Sequence, residues 1–183
     1  MIKRPVFRAP GRRRGADEGA TAVEFAMVAA PLFFMIFATL ELALVFITST
    51  TLENALSRGA RTIRTGQQQA AAAGKSAAVS EAEFVAAVCD NMAFLKDGCT
   101  DNLFIDVRRS TTFSSVGAPD PTSSGKFDDT QLKFEPGGQS EKILVRGFYK
   151  WPLITPFLSE GLAKVDGNTA VLMATETFRN EPF

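Results

Sequence analysis

The chain has 183 residues, 45% of them hydrophobic and 22% charged, which is enough for one domain of ordinary size plus an additional segment. Lys and Arg total 20, as do Asp and Glu, and the resulting net charge of zero argues against broad nucleic-acid binding. Histidine is absent, which removes the commonest general base and metal ligand and with it the usual catalytic triads and zinc sites.

The charge is unevenly spread. Ahead of Gly19 stand Lys3, Arg4, Arg8, Arg12, Arg13 and Arg14 against only Asp17 and Glu18, so a basic head precedes a mildly acidic remainder. An apolar run follows. No charged residue lies between Phe25 and Leu40, and if Glu41 is tolerated the run reaches Ile47, giving a span over residues 25–47. At about 1.5 Å rise per residue, roughly 20 helical residues cross a bilayer core, so the length fits. The basic excess before the run places the N-terminus in the cytoplasm and residues after about Thr48 outside. A secretory signal has a shorter core and a small-x-small cleavage site, and the polar and apolar residues that follow a twin-arginine pair are missing here. A lipoprotein signal needs a Cys directly after the apolar core, whereas the first is Cys89. A permanent anchor and a segment processed on the cytoplasmic side remain.

Glu24 separates those two. A carboxylate about one turn inside an apolar helix costs a few kcal/mol, so it is either hydrated at headgroup depth or held by a partner. A cut between Gly19 and Ala20 would create an ammonium group four residues before Glu24. Positions i and i+4 share a helix face, so the two charges would pair within or between subunits. The same cut would remove the basic head.

The helix is expected to continue beyond the span, from about Ala20 to Thr65, with Gly66 as its stop and Pro31 as a local kink. Its length, on the order of 70 Å, exceeds a bilayer, so the outer half must pack on something. Arg58, Arg61 and Arg64 recur every third residue and form either a solvated strip suited to the helix C-terminus or a dock for acidic groups on a neighbouring subunit. Glu41 has the same two readings, hydrated interface or inter-subunit partner.

Residues 67–80 are low in complexity and read as a linker or frayed helix. Ser80 and Glu83 form a capping-box pattern, and Phe84, Val85, Val88, Met92 and Leu95 recur at helical spacing up to a stop at Gly98. Cys89 and Cys99, ten apart and on the exported side, are expected to form a disulfide.

Beyond Cys99 the periodicity becomes that of strands. "NLFIDVRRS" places Leu103, Ile105 and Val107 on one face, "EKILVRGFYKW" offers Ile143, Val145 and Phe148 with an irregularity at Gly147, and "NTAVLMATETF" is a third strand. The intervening stretches are turn-rich loops, and "WPLITPFLSEGL" reads as a loop with a short helix. Phe148, Tyr149 and Trp151 read as packing rather than a binding surface, and Asp120, Asp128 and Asp129 as solvated loop acids rather than a calcium site. The expected fold is α+β: a long N-terminal helix, then a helix and an antiparallel sheet. The expected divisions are a leader over 1–19, the helix over 20–66, a linker over 67–80 and an extracytoplasmic domain over 81–183.

"RRRGADEG" followed by "ATAVEF" resembles the processing site of type IV prepilins, a glycine before a small residue with Glu at the fifth mature position. In the tight-adherence (Tad, or Flp) branch that Glu is typically followed by Tyr. Phe25 keeps the ring and loses the hydroxyl, as in many TadE-like minor pilins. "AVEFAMVAAPLFFMIFATLEL", with Pro31 and Glu41, is similar to the TadE-like domain, and "LENALSRGARTIRTGQ" and the ending "ETFRNEPF" are similar to segments of the same family. The resemblance implies a minor pilin or pseudopilin, cut by a prepilin peptidase between Gly19 and Ala20 and N-methylated on the first mature residue. Glu24 and Phe25 would guide assembly with other Tad/Flp pilins on an inner-membrane platform, serving surface adhesion and biofilm formation. It implies a single-pass inner-membrane protein with a periplasmic C-terminal domain, or its incorporation in an extracellular pilus. No enzyme activity, cofactor or metal is implied. An unprocessed single-span scaffold with a periplasmic domain is the alternative.

Overall fold

The computed structural model of the chain describes residues 14–110, 112, 117–155, 161–162, 165 and 167–183, with side chains from Gly19 onward. Most of the basic leader, and most of the expected short helix before Leu162, lie outside the described residues. The elements are α1 (Arg14–Arg64), α2 (Gln67–Ala71), α3 (Ala77–Cys89), a 3-10 turn (Ala93–Leu95), α4 (Cys99–Asn102), β1 (Leu103–Ser110), β2 (Lys142–Pro152) and β3 (Thr169–Arg179). The architecture is α+β, and the chain divides into two units, Met1–Thr39 and Leu40–Phe183.

In the first unit α1 passes through Pro31 without ending. Its large apolar side chains, among them Phe25, Met27, Leu32 and Phe33, are exposed.

In the second unit α1 acquires an inward face. Glu41, Thr48, Leu52, Ala55, Leu56, Ala60 and Ile63 are buried, a three-four spacing that keeps one stripe toward the core. Two glycines set how closely that stripe packs. A Cβ on Gly147 of β2 would lie 3.3 Å from the Leu56 Cδ1 atom and 3.6 Å from that of Leu52, so α1 crosses the sheet there. A Cβ on Gly59 of α1 would lie 2.7 Å from Val88 Cγ2, which fixes where α3 lies against α1. Gly66, with φ of 78°, ends the helix, and the Phe183 ring sits where a Cβ would project.

The segment after α1 is more ordered than a linker. Gln68 in α2 is buried and its Nε2 donates to the Ser80 carbonyl at 3.0 Å and to Ser80 Oγ at 3.2 Å. Ser80 therefore faces inward, and α3 is capped by Ser76, whose Oγ accepts from the Val79 N–H. Glu83 pairs with Lys75 at 2.6 Å, so the expected Ser80–Glu83 capping box does not form. The helix also ends at Cys89, short of the expected stop near Gly98. Turn bonds from Asn91 N–H to the Val88 carbonyl and from Met92 N–H to the Cys89 carbonyl carry the chain into the 3-10 turn. Met92 and Leu95 stay buried, because consecutive turns repeat at nearly helical spacing. The Cys89–Cys99 disulfide closes this reversal.

The sheet is antiparallel with order β1-β2-β3. Leu103, Ile105, Val107, Ile143, Val145, Tyr149 and Ala174 join the larger core with α1 and α3. Phe148, Val165 and Val171 form a second, smaller cluster with Phe104, Phe127 and Leu132 packed against it. Phe148 thus lies across the sheet from Ile143 and Val145, contrary to the expected shared face. Gly147 is in register opposite Ile105, so it occupies an inward position and strict alternation turns Phe148 outward. The outer edge of β1 is partly closed by residues 133–135, through Val107 N–H to the Lys133 carbonyl and Glu135 N–H to the Val107 carbonyl.

Candidate membrane and assembly site

The expected cleavage junction lies on α1. A side chain at Gly19 would meet open space, and Ala20, Glu24 and Phe25 are exposed. Ala20 and Glu24 stand one helical repeat apart on the same face. The stretch Gly19–Arg64 contains a window long and apolar enough to cross a membrane, and little of that window is buried.

Glu41 makes its contacts inside the chain. It is 5% exposed, and its carboxylate accepts hydrogen bonds from the backbone N–H groups of Ile154 and, at 2.7 Å, Thr155. The loop that supplies them is fixed from behind by Leu153 N–H donating to the Asn168 carbonyl and Asn168 Nδ2 donating to that of Leu153. Where the sequence offered a hydrated interface or an inter-subunit partner for Glu41, the folded chain supplies two backbone N–H partners of its own.

The three arginines on the strip diverge. Arg58 Nη1 donates to Asn91 Oδ1 at 3.4 Å in the turn after α3. Arg64 pairs with Glu181 at 3.1 Å, while Glu181 N–H caps the Arg64 carbonyl at 2.9 Å. Arg61 is exposed and borders the same groove as Arg64, Glu176 and Glu181. The ending "ETFRNEPF" therefore acts as a clasp on the last turn of α1, where exposed C-terminal carbonyls need donors. Asn180 extends it, its Nδ2 donating to the carbonyls of Pro136 and Gly138.

A buried ionic network escaped the sequence reading. Asp106 on β1 is fully buried and accepts from Arg108 Nε, from Arg146 Nε and Nη2, and from Lys133 N–H. The two guanidinium groups in turn donate to the carbonyls of Gly117, Gln131 and Pro119, tying the β1–β2 connection down. The detectable signal was a single acid inside "LFIDV" and a single base inside "ILVRGF", each interrupting an apolar strand. Glu81 on α3 feels this site: burial, and next the Asp106 charge, raise its carboxyl above the ordinary 4.5.

The loop acids serve turns. Asp120 Oδ1 accepts from the Thr122 N–H and hydroxyl, and Asp128 Oδ1 from those of Thr130, which with Gln131 hold the Asp128 carboxyl below its ordinary range. Among the described residues no group of three or more His, Cys, Asp or Glu side chains is placed to hold a metal ion.

No curated protein and no solved structure matches the chain. Residues 19–61, from the expected junction into the packed half of α1, match the family model described as TadE-like protein. What the match shows is a TadE-like segment at the start of the α+β fold, covering less than half of the chain.

Proposed function

We propose that the protein is a minor pilin, or pseudopilin, of a Tad/Flp pilus assembly system, needed for pilus biogenesis and through it for adhesion and biofilm formation. The observation that carries this reading is the TadE-like match beginning at Gly19, with Ala20 and Glu24 exposed on one face of an apolar helix. The chain inserts with its basic head in the cytoplasm, and a prepilin peptidase cuts after Gly19. The cut frees the helix from its basic cytoplasmic anchor and creates the ammonium group that neutralises Glu24, within the subunit or on a neighbouring pilin. The helix then leaves the bilayer on the assembly platform and packs among other pilin helices. The chain after about Thr48 stays on the periplasmic side or on the fibre surface, with the exposed Arg61 placed to meet acidic groups on a neighbour.

Intact mass spectrometry of membrane-extracted protein tests this. Residues 1–19 are expected to be absent in cells that contain the prepilin peptidase and retained when it is deleted. A full-length chain in both strains would sink the pilin reading and leave an unprocessed single-span scaffold.

A further inference from the structure

Within the unit Leu40–Phe183 the first two turns of α1 have a divided surface. Glu41, Val45 and Thr48 point inward, at least half covered by the rest of the unit. The remaining arc over these turns is entirely apolar and exposed, carrying Leu40, Leu44, Phe46 and Ile47. After Ile47 the same arc becomes polar, with Thr50, Asn54, Arg58 and Arg61 exposed. With α1 read as a membrane span, that change is where the helix would meet water. Glu41 lies six residues to the apolar side of Ile47, which at helical rise is about 9 Å.

An ionised carboxylate at such a depth is costly unless polar partners accompany it. Here the partners are the N–H groups of Ile154 and Thr155, delivered by a loop that Asn168 holds in place. The loop must therefore reach the depth of Glu41. Its outward side chain is Ile154, 82% exposed, the highest value among the exposed large hydrophobic residues described.

We propose that residues 153–155, directly after β2, dip into the bilayer leaflet on the domain's side, where their backbone satisfies Glu41 and Ile154 faces lipid acyl chains. The inference rests on the reading of α1 as a membrane span. Lipid is the occupant because the apolar arc from Leu40 to Ile47 is continuous in sequence with the apolar run that the bilayer would cover. The loop presents an apolar side chain outward and turns its polar N–H groups inward to a charge. That is the arrangement hydrocarbon requires, and water would not select it.

Cys89 and Cys99 are joined, so an introduced cysteine is open to selective labelling. Full-length Ile154→Cys, Phe33→Cys and Met173→Cys variants would carry a nitroxide in phosphatidylethanolamine/phosphatidylglycerol vesicles, with access measured to oxygen and to a water-soluble nickel chelate. All three native side chains are exposed, so the substitutions spare the core. The expected result is a label at 154 that favours oxygen as at 33, and a label at 173 that favours the chelate. Chelate access at 154 equal to that at 173, with 33 still in lipid, would overturn the loop insertion alone. Chelate access at 33 as well would overturn the membrane span beneath it. Shielding at 154 that appears only at high protein-to-lipid ratio would assign the surface to a second subunit and overturn the lipid assignment.

Discussion

Asp106 and Arg146 are direct register partners across β1 and β2, and Arg146 Nη2 lies 2.6 Å from an Asp106 carboxylate oxygen that has no exposure to water. Arg108 shares the same carboxylate at 2.9 Å, so two largely buried guanidinium groups depend on one acid. Removing that acid leaves both charges uncompensated in a dry setting, which typically costs about 3–5 kcal/mol. Asp106→Asn is therefore expected to lower the thermal unfolding midpoint of the detergent-solubilised chain sharply and to open the β1–β2 connection to limited proteolysis. Arg109→Gln, on the exposed neighbour, is expected to change stability by less than ~0.5 kcal/mol. Equal midpoints for the two variants would show that the network contributes little.

The disulfide makes a different kind of contribution. Cys89 and Cys99 are buried and joined across ten positions, closing the reversal that carries Met92 and Leu95 into the core. Closing a loop of this order stabilises by about 2–3 kcal/mol, mainly by restricting the unfolded chain. The Cys89→Ser, Cys99→Ser double variant is expected to unfold at lower temperature, and reductant should lower wild-type stability while leaving the variant unchanged. A reductant effect of equal size in both proteins would assign the loss to something other than this bond.

What was legible in the sequence was local. The basic head, the apolar run and the Gly19–Glu24 spacing are linear features. The three strands emerge because period-two alternation is preserved along each. Glu41 was read as a charge at the end of an apolar run and Asp106, inside an apolar strand, was passed over; their partners lie at Ile154, Thr155 and Arg146, which only the folded chain brings close. Ser80 looked like a cap because its local pattern fits one. The competing demand, a buried acceptor for Gln68, comes from a different helix. Phe148 was placed on the wrong face because Gly147 was read as an irregularity when it is the inward residue that lets α1 approach.

Gly59 offers a test of helix packing. Alanine there gains helix propensity of about 1 kcal/mol relative to glycine, but its methyl group would stand 2.7 Å from Val88 Cγ2 and 3.2 Å from Phe84 Cζ. Val88 is β-branched and fully buried, so it has little freedom to yield, and overpacking of this kind costs about 1–3 kcal/mol. Gly59→Ala is expected to be destabilising overall, and adding Val88→Ala should recover part of the loss. A double-mutant cycle in chemical denaturation reads the coupling directly, and strictly additive effects would mean that α1 and α3 do not meet here.

Glu81 predicts how stability should vary with pH. Its carboxyl is raised by burial and next by the Asp106 charge, so the folded chain holds the Glu81 proton more tightly than the unfolded chain does. The contribution is therefore favourable below the ordinary value of 4.5 and is lost as pH rises through the raised one, leaving a strained carboxylate at neutral pH. Glu81→Gln removes the charge and keeps the shape. The variant is expected to unfold at a higher temperature than wild type at pH 7, by up to ~2 °C given the partial exposure of the site, and to match it near pH 4. Thermal unfolding followed at intervals between those two pH values measures the convergence. Curves that stay parallel throughout would mean that Glu81 titrates alike in both states, and that the Asp106 site does not reach α3.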